Sequence, residues 1–238
     1  MSEPLRVAVV VEGPTDSIVL KAIVRSLLDG ADFEFQTLQP EGAAAFEAKF
    51  GAHGPGWGGV YRWSRQAAEE GSGSLSGSSA LSQWDLLIAH LDADVADKTY
   101  SSARIQSPPH HDLPCVKSCP PLHETTDALR TVLLRWLGEQ TCPPRTILCT
   151  PSKTMDAWVL TAIFPGNATF QQRNWECHTD PEGQINALPK KNVSPRKDLT
   201  ILKGVRKSVK PGQAYPLHLR KQHGFKKSFF VQLIEEGS

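Results

Sequence analysis

Five apolar residues, Val7 to Val11, end abruptly in Glu12-Gly13-Pro14-Thr15-Asp16. An amphipathic run follows, with Ile18, Val19, Leu20, Ile23, Val24, Leu27 and Leu28 at helical spacing. The pattern predicts a strand, a tight turn and a helix. Pro14 suits the first helical turn and Thr15 its cap. Glu12 then sits at the carboxyl end of a strand, where open α/β sheets bind their ligands. A helix N-terminus at such an edge favours an anionic ligand. Two carboxylates facing the same mouth point instead to a cation.

The rest of the chain repeats this alternation. Phe33 to Leu38 alternates apolar and polar residues and reads as a second strand. Trp84 to Leu91 reads as a third, buried in character, and runs into Asp92-Ala93-Asp94. Glu124 to Leu137 carries Leu129, Val132, Leu133, Trp136 and Leu137 on one helical face. Arg145 to Thr150 is a fourth strand. Across Pro151-Ser152-Lys153-Thr154 it leads to a helix with Met155, Trp158, Val159, Ala162 and Ile163 on its apolar face. Strands alternating with helices imply an α/β fold with a mainly parallel sheet flanked by helices. Gly51 to Gly59 lacks a Gly-Lys-Ser/Thr ending and reads as a flexible loop rather than a phosphate loop. A helix is expected over Val60 to Glu70. Gly71 to Ser79, rich in Gly and Ser, is expected to be mobile, and Val95 to Leu122 irregular.

Three strand ends therefore deliver acids to one sheet edge. These are Glu12 with Asp16, Asp92 with Asp94, and Asp156 in the first turn of the last helix. Each has an ordinary explanation as a helix-start acid or a turn former. Their coincidence at one edge is what suggests a site. Clustered carboxylates repel, so one is protonated or a cation neutralises them. Oxygen donors without a paired His or Cys suit Mg²⁺ or Mn²⁺ better than Zn²⁺. His110, His111, Cys115, Cys119 and His123 do not have the spacing of usual zinc sites.

Charge is divided unevenly. The 238 residues carry a net +1, yet Gly183 to Ser238 holds twelve Lys and Arg against three acids. An acidic body with a basic C-terminal quarter fits a polyanionic partner. Lys190, Lys191, Arg196, Lys197, Arg206 and Lys207 are the candidate phosphate contacts. The apolar runs are too short to span a bilayer, and the N-terminus has no signal-type core, so a cytoplasmic protein without membrane attachment is expected. Five cysteines, odd in number and uneven in spacing, suggest free thiols.

Val9-Val10-Val11-Glu12-Gly13-Pro14-Thr15-Asp16, with Leu91-Asp92-Ala93-Asp94 after a hydrophobic strand, resembles the Toprim domain, in particular OLD-type nucleases and small stand-alone Toprim-like proteins. Pro151 to Leu160 is similar to a later segment of such proteins, with Asp156 where they usually have Glu. The resemblance implies a Toprim-like catalytic domain over residues 1–166, with loop-rich insertions near 40–82 and 95–122. A basic C-terminal extension would occupy 167–238. It implies a divalent-metal-dependent nuclease, with a role in antiphage defence. Glu12, Asp92 and Asp94 would be primary metal ligands. Asp16 and Asp156 would serve a second metal or orient its water, and Lys153 would stabilise negative charge. Nucleic acid, DNA rather than RNA, is the expected partner. No Gly-Lys-Ser/Thr loop is present, so any ATPase would be a separate chain. The alternatives are a non-enzymatic partner subunit of such an ATPase, or a phosphohydrolase acting on a small molecule.

Overall fold

A computed structural model describes residues 3–28, 31–41, 52–121, 123–163, 167–169, 175–178 and 180–187. The basic candidates Lys190, Lys191, Arg196, Lys197, Arg206 and Lys207 lie outside these residues. The strands are β1 (Leu5–Val10), β2 (Phe33–Gln39), β3 (Leu86–His90) and β4 (Thr146–Cys149). The α-helices are α1 (Pro14–Leu27), α2 (Gly56–Glu70), α3 (Ser79–Ser82), α4 (His123–Trp136), α5 (Asp156–Ile163) and α6 (Pro181–Ala187).

The four strands form one parallel sheet in the order β2-β1-β3-β4. Val7 pairs with Leu86 and Val10 with Ala89, while His90 pairs with Cys149. The order reverses direction between β1 and β3. That is the switch point at which an open α/β sheet leaves a crevice beyond its strand ends. Glu12 and Asp92 follow the two strands that flank it.

Strand alternation builds two cores. Val7, Val9 and Val11 pack with Val19, Leu20, Ile23 and Val24 of α1 and with Val159 and Leu160 of α5. Ala8 and Val10 face Val60 and Ala67 of α2 and Leu129, Leu133 and Trp136 of α4. Helices thus cover both faces, which is why β1 and β3 read as near-continuous apolar runs. Trp175 and Ile185 join the first core, so the chain packs back on α5 beyond its C-terminal end. No helix among the described residues is long and apolar enough to cross a membrane.

Two expectations about loops are corrected. The glycine-rich segment becomes helix at Gly56, four residues before the expected start. Tertiary packing overrides the poor helix propensity of glycine here. A Cβ on Gly59 would stand 2.1 Å from the Gly54 carbonyl oxygen, so only glycine permits the approach. Gly71 to Ser79 is fastened rather than loose. It forms a 3₁₀ turn, Leu75–Gly77, with Leu75 wholly buried and its N–H donating to the Leu137 carbonyl. Ser74 Oγ, Ser76 Oγ and Ser76 N–H all donate to Glu139 Oε1. Gly138 faces this turn at φ +71°, with a Cβ site 1.9 Å from the Gly73 carbonyl oxygen. Gly138→Ala is therefore expected to cost about 3 kcal/mol, from left-handed strain plus overpacking. Urea unfolding checks this, and a loss below about 1 kcal/mol would mean the turn yields easily.

The segment after Val95 has two short 3₁₀ turns, Ala93–Asp97 and Tyr100–Ala103, and otherwise lacks regular structure up to Pro121. Aromatic packing and a hydrogen-bond chain running from the core to the surface hold it. Trp136 Nε1 donates to Tyr100 Oη, Tyr100 Oη donates to Asp112 Oδ1, and Arg135 Nη1 donates to Asp112 Oδ2. Trp57, Tyr61, Tyr100 and Trp136 pack around it at centroid distances of 5.2–6.3 Å. The expectation of free thiols throughout is also corrected: Cys119 and Cys177 form a disulfide, and Cys115, Cys142 and Cys149 remain free.

Candidate functional site

The acids are set by backbone hydrogen bonds at the switch point. Glu12 follows β1, and its Oε1 accepts from the Asp92 N–H at 2.8 Å, joining the ends of β1 and β3. Its carbonyl accepts from Gly56 N–H at 2.9 Å, which draws the start of α2 to the same rim. Asp16 folds back from the first turn of α1, and its Oδ2 accepts from Gly13 N–H at 2.9 Å. Asp92 Oδ1 accepts from Met155 N–H at 3.0 Å, tying β3's end to the start of α5. The loops after β3 and β4 are further laced together: Ala93 N–H donates to the Pro151 carbonyl and Asp94 N–H to the Lys153 carbonyl, each at 3.0 Å.

Electrostatics places Glu12, Asp16, Asp92 and Asp156 in one neighbourhood. Burial is the largest influence on Glu12, the charge of Asp92 is next, and its carboxyl rises to about 8. Glu12 is only partly buried, so its carboxyl keeps some contact with solvent. Asp16 is also raised, first by burial and further by Asp92. Asp156 is pushed up to about 6 by burial, Asp92, Glu182 and Asp16, against a weak 3.4 Å bond from Thr154 Oγ1. Asp94 stands at the flank. Its Oδ2 pairs with Lys98 Nζ at 3.3 Å, while burial raises its carboxyl.

Lys153 is placed by its backbone. It adopts φ +61°, the left-handed region that non-glycine residues avoid. Its side chain forms no ion pair with Asp94 or Asp156. Strained backbone of this kind gathers at functional sites. Of two truncations, Lys153→Gly is expected to be more stable than Lys153→Ala by about 1 kcal/mol, because glycine accepts the conformation without a Cβ penalty. Both remove the same ammonium, so any difference in their thermal midpoints isolates the backbone. Equal midpoints would show that the turn relaxes without cost.

His90 is a site residue that its sequence context did not mark, since it reads as an ordinary strand position. It closes β3, is fully buried, and sets Nε2 3.3 Å from Asp92 Oδ1. That contact has ion-pair rather than hydrogen-bond geometry, and neither ring nitrogen has a hydrogen-bond partner among the described residues. Burial alone would lower the imidazole. Its contact with Asp92 and the charges of Asp16, Asp92 and Glu12 outweigh burial and raise it to about 9. The available signal was one polar residue at the end of an otherwise apolar strand, two positions before an acid.

Among the described residues, no group of three or more His, Cys, Asp and Glu side chains is arranged as a ready-made metal site. The donor chemistry nonetheless suits a hard cation. Glu12, Asp16 and Asp92 each commit one oxygen to a backbone N–H. Their second oxygens accept no hydrogen bond from any described residue. Carboxylate oxygens at a partly solvated mouth are the ligands Mg²⁺ and Mn²⁺ prefer. Cys119, in its disulfide, is unavailable to a cluster with His110, His111, Cys115 and His123. Trp175 is buried and donates to the Ala157 carbonyl, a core role. No family model matches this chain, and neither a curated protein nor a solved structure does.

Proposed function

We propose that the chain is a Mg²⁺- or Mn²⁺-dependent nuclease of Toprim type that hydrolyses phosphodiesters in nucleic acid. One observation carries the reading. Glu12 and Asp92, 80 residues apart, meet at the β1/β3 switch point with Asp16 nearby, each acid having one oxygen held by backbone. A carboxylate cluster at that position favours a cationic group over a free anionic ligand.

Glu12, Asp16 and Asp92 would hold the cation, with Asp94 and Asp156 beside them. Bound there, a divalent ion would supply charge neutralisation for an anionic phosphodiester and activation of water near neutral pH. The chain's own groups do the remaining work. Asp156, raised to about 6, sits in the range useful for exchanging a proton at neutral pH. Lys153 would offer its ammonium to the charge that develops on phosphate oxygens. Lys190, Lys191, Arg196, Lys197, Arg206 and Lys207 would bring the polyanion to the mouth. DNA is the preferred polymer, and a role in antiphage defence follows from the family resemblance alone.

Supercoiled plasmid incubated with purified full-length protein and Mn²⁺ tests the reading. Nicking that chelator abolishes supports it. Inertness until a separate ATPase is added would favour a partner subunit. Hydrolysis of small phosphate esters that survives deletion of residues 190–238 would favour a phosphohydrolase.

A further inference from the structure

We infer that His90 is a positioning residue that fixes the Asp92 carboxylate for cation binding, an assignment that rests on the metal-dependent reading above. Asp92 Oδ1 is approached from two sides, by Met155 N–H at 3.0 Å and by His90 Nε2 at 3.3 Å. Met155 N–H donates to Oδ1 and the imidazole lies against the same oxygen at ion-pair distance, which leaves Oδ2 as the oxygen open to a ligand and restricts rotation of the carboxylate. The imidazole has no other evident task. It is completely buried at the end of β3 and has no hydrogen-bond partner for either nitrogen among the described residues. An idle polar ring at such a depth is costly, so its position beneath Asp92 calls for an interaction that offsets that cost. Histidine and carboxylate commonly support one another around metals, where the outer partner sets the orientation of the ligand.

The backbone explains why His90 can do this and a surface residue cannot. His90 shares strand parity with Leu86 and Ile88, so it enters the core that contains α1 and α5. Asp16 lies in the first turn of α1 and Met155 immediately precedes α5. The ring is thus anchored in packed apolar surroundings directly behind the acids.

Mn²⁺ affinity of the full-length protein, measured by electron paramagnetic resonance, tests the assignment independently of activity. His90→Leu, which keeps bulk and removes the donor, is expected to weaken Mn²⁺ binding 10- to 100-fold. His90→Gln, which restores an N–H near the Nε2 position, is expected to recover most of that loss. Wild-type affinity in a folded His90→Leu protein, with Asp92→Ala unable to bind, would overturn the role of His90 alone. Unchanged Mn²⁺ binding in Asp92→Ala would overturn the metal reading itself, and this assignment with it. Should His90→Leu fail to fold, ¹⁵N NMR of the wild-type imidazole decides. A proton on Nε2 is expected, and an unprotonated Nε2 would overturn the proposal.

Discussion

Asp92→Ala is expected to lower metal-dependent plasmid cleavage by about 10³-fold while leaving the protein folded. Asp92 is the residue through which the other site groups are connected. Its backbone N–H holds Glu12, its Oδ1 holds Met155 N–H, and His90 lies against the same oxygen. Its charge acts on Glu12, Asp16 and Asp156 alike. Truncation removes the proposed ligand oxygen but spares the backbone bond to Glu12, so the strand ends stay joined. The orphaned Met155 N–H costs about 1–3 kcal/mol, partly offset by relieved repulsion among the remaining acids. Asp94→Ala should do less harm, because its carboxylate is already drawn aside to Lys98. Rates from a plasmid-relaxation time course, with circular dichroism as the control for folding, give the ranking. An Asp92→Ala protein that cuts at the wild-type rate would remove the carboxylate site from the reaction.

The sequence made the scaffold of this site legible because its cues were local. A buried strand running straight into Glu12-Gly13-Pro14 left one sensible turn, and parallel topology then brought Asp92 and Asp156 to the same edge. Cues that depend on distant partners were illegible. His90 looks like any strand residue until β3 is set beside α1 and α5. The diversion of Asp94 depends on Lys98, four residues on, across a 3₁₀ turn that no periodicity announced. The early start of α2 relies on glycines that fit because the Gly54 carbonyl oxygen needs the space. Cys119 and Cys177 lie 58 residues apart, and spacing alone cannot pair two cysteines out of five.

The metal-free protein is expected to lose stability steadily between about pH 5 and pH 9, with a divalent ion opposing the loss. Glu12 rises from 4.5 to about 8 on folding and Asp156 from 3.8 to about 6. Between each pair of values the folded state binds more protons than the unfolded chain, so raising the pH favours unfolding. His90, raised from 6.5 to about 9, adds stability that is complete below pH 6.5 and is lost as pH climbs through 9. All three act in one direction. Because they share one electrostatic cluster their effects do not simply add, and a net loss of about 2 kcal/mol or more, roughly 5 °C in Tm, is a reasonable floor. In the proposed site Mn²⁺ would take the place of the protons that Glu12 would otherwise retain, so its stabilisation should be larger at pH 8.5 than at pH 6. Glu12→Gln separates the two effects. Its amide oxygen can still accept from Asp92 N–H, but it needs no proton and brings no charge. The variant should therefore melt above wild type at pH 8.5 without metal, and gain little from Mn²⁺. A wild-type Tm that does not change with pH, or a Glu12→Gln protein that Mn²⁺ stabilises as strongly as wild type, would mean that Glu12 is not part of a cation-binding cluster.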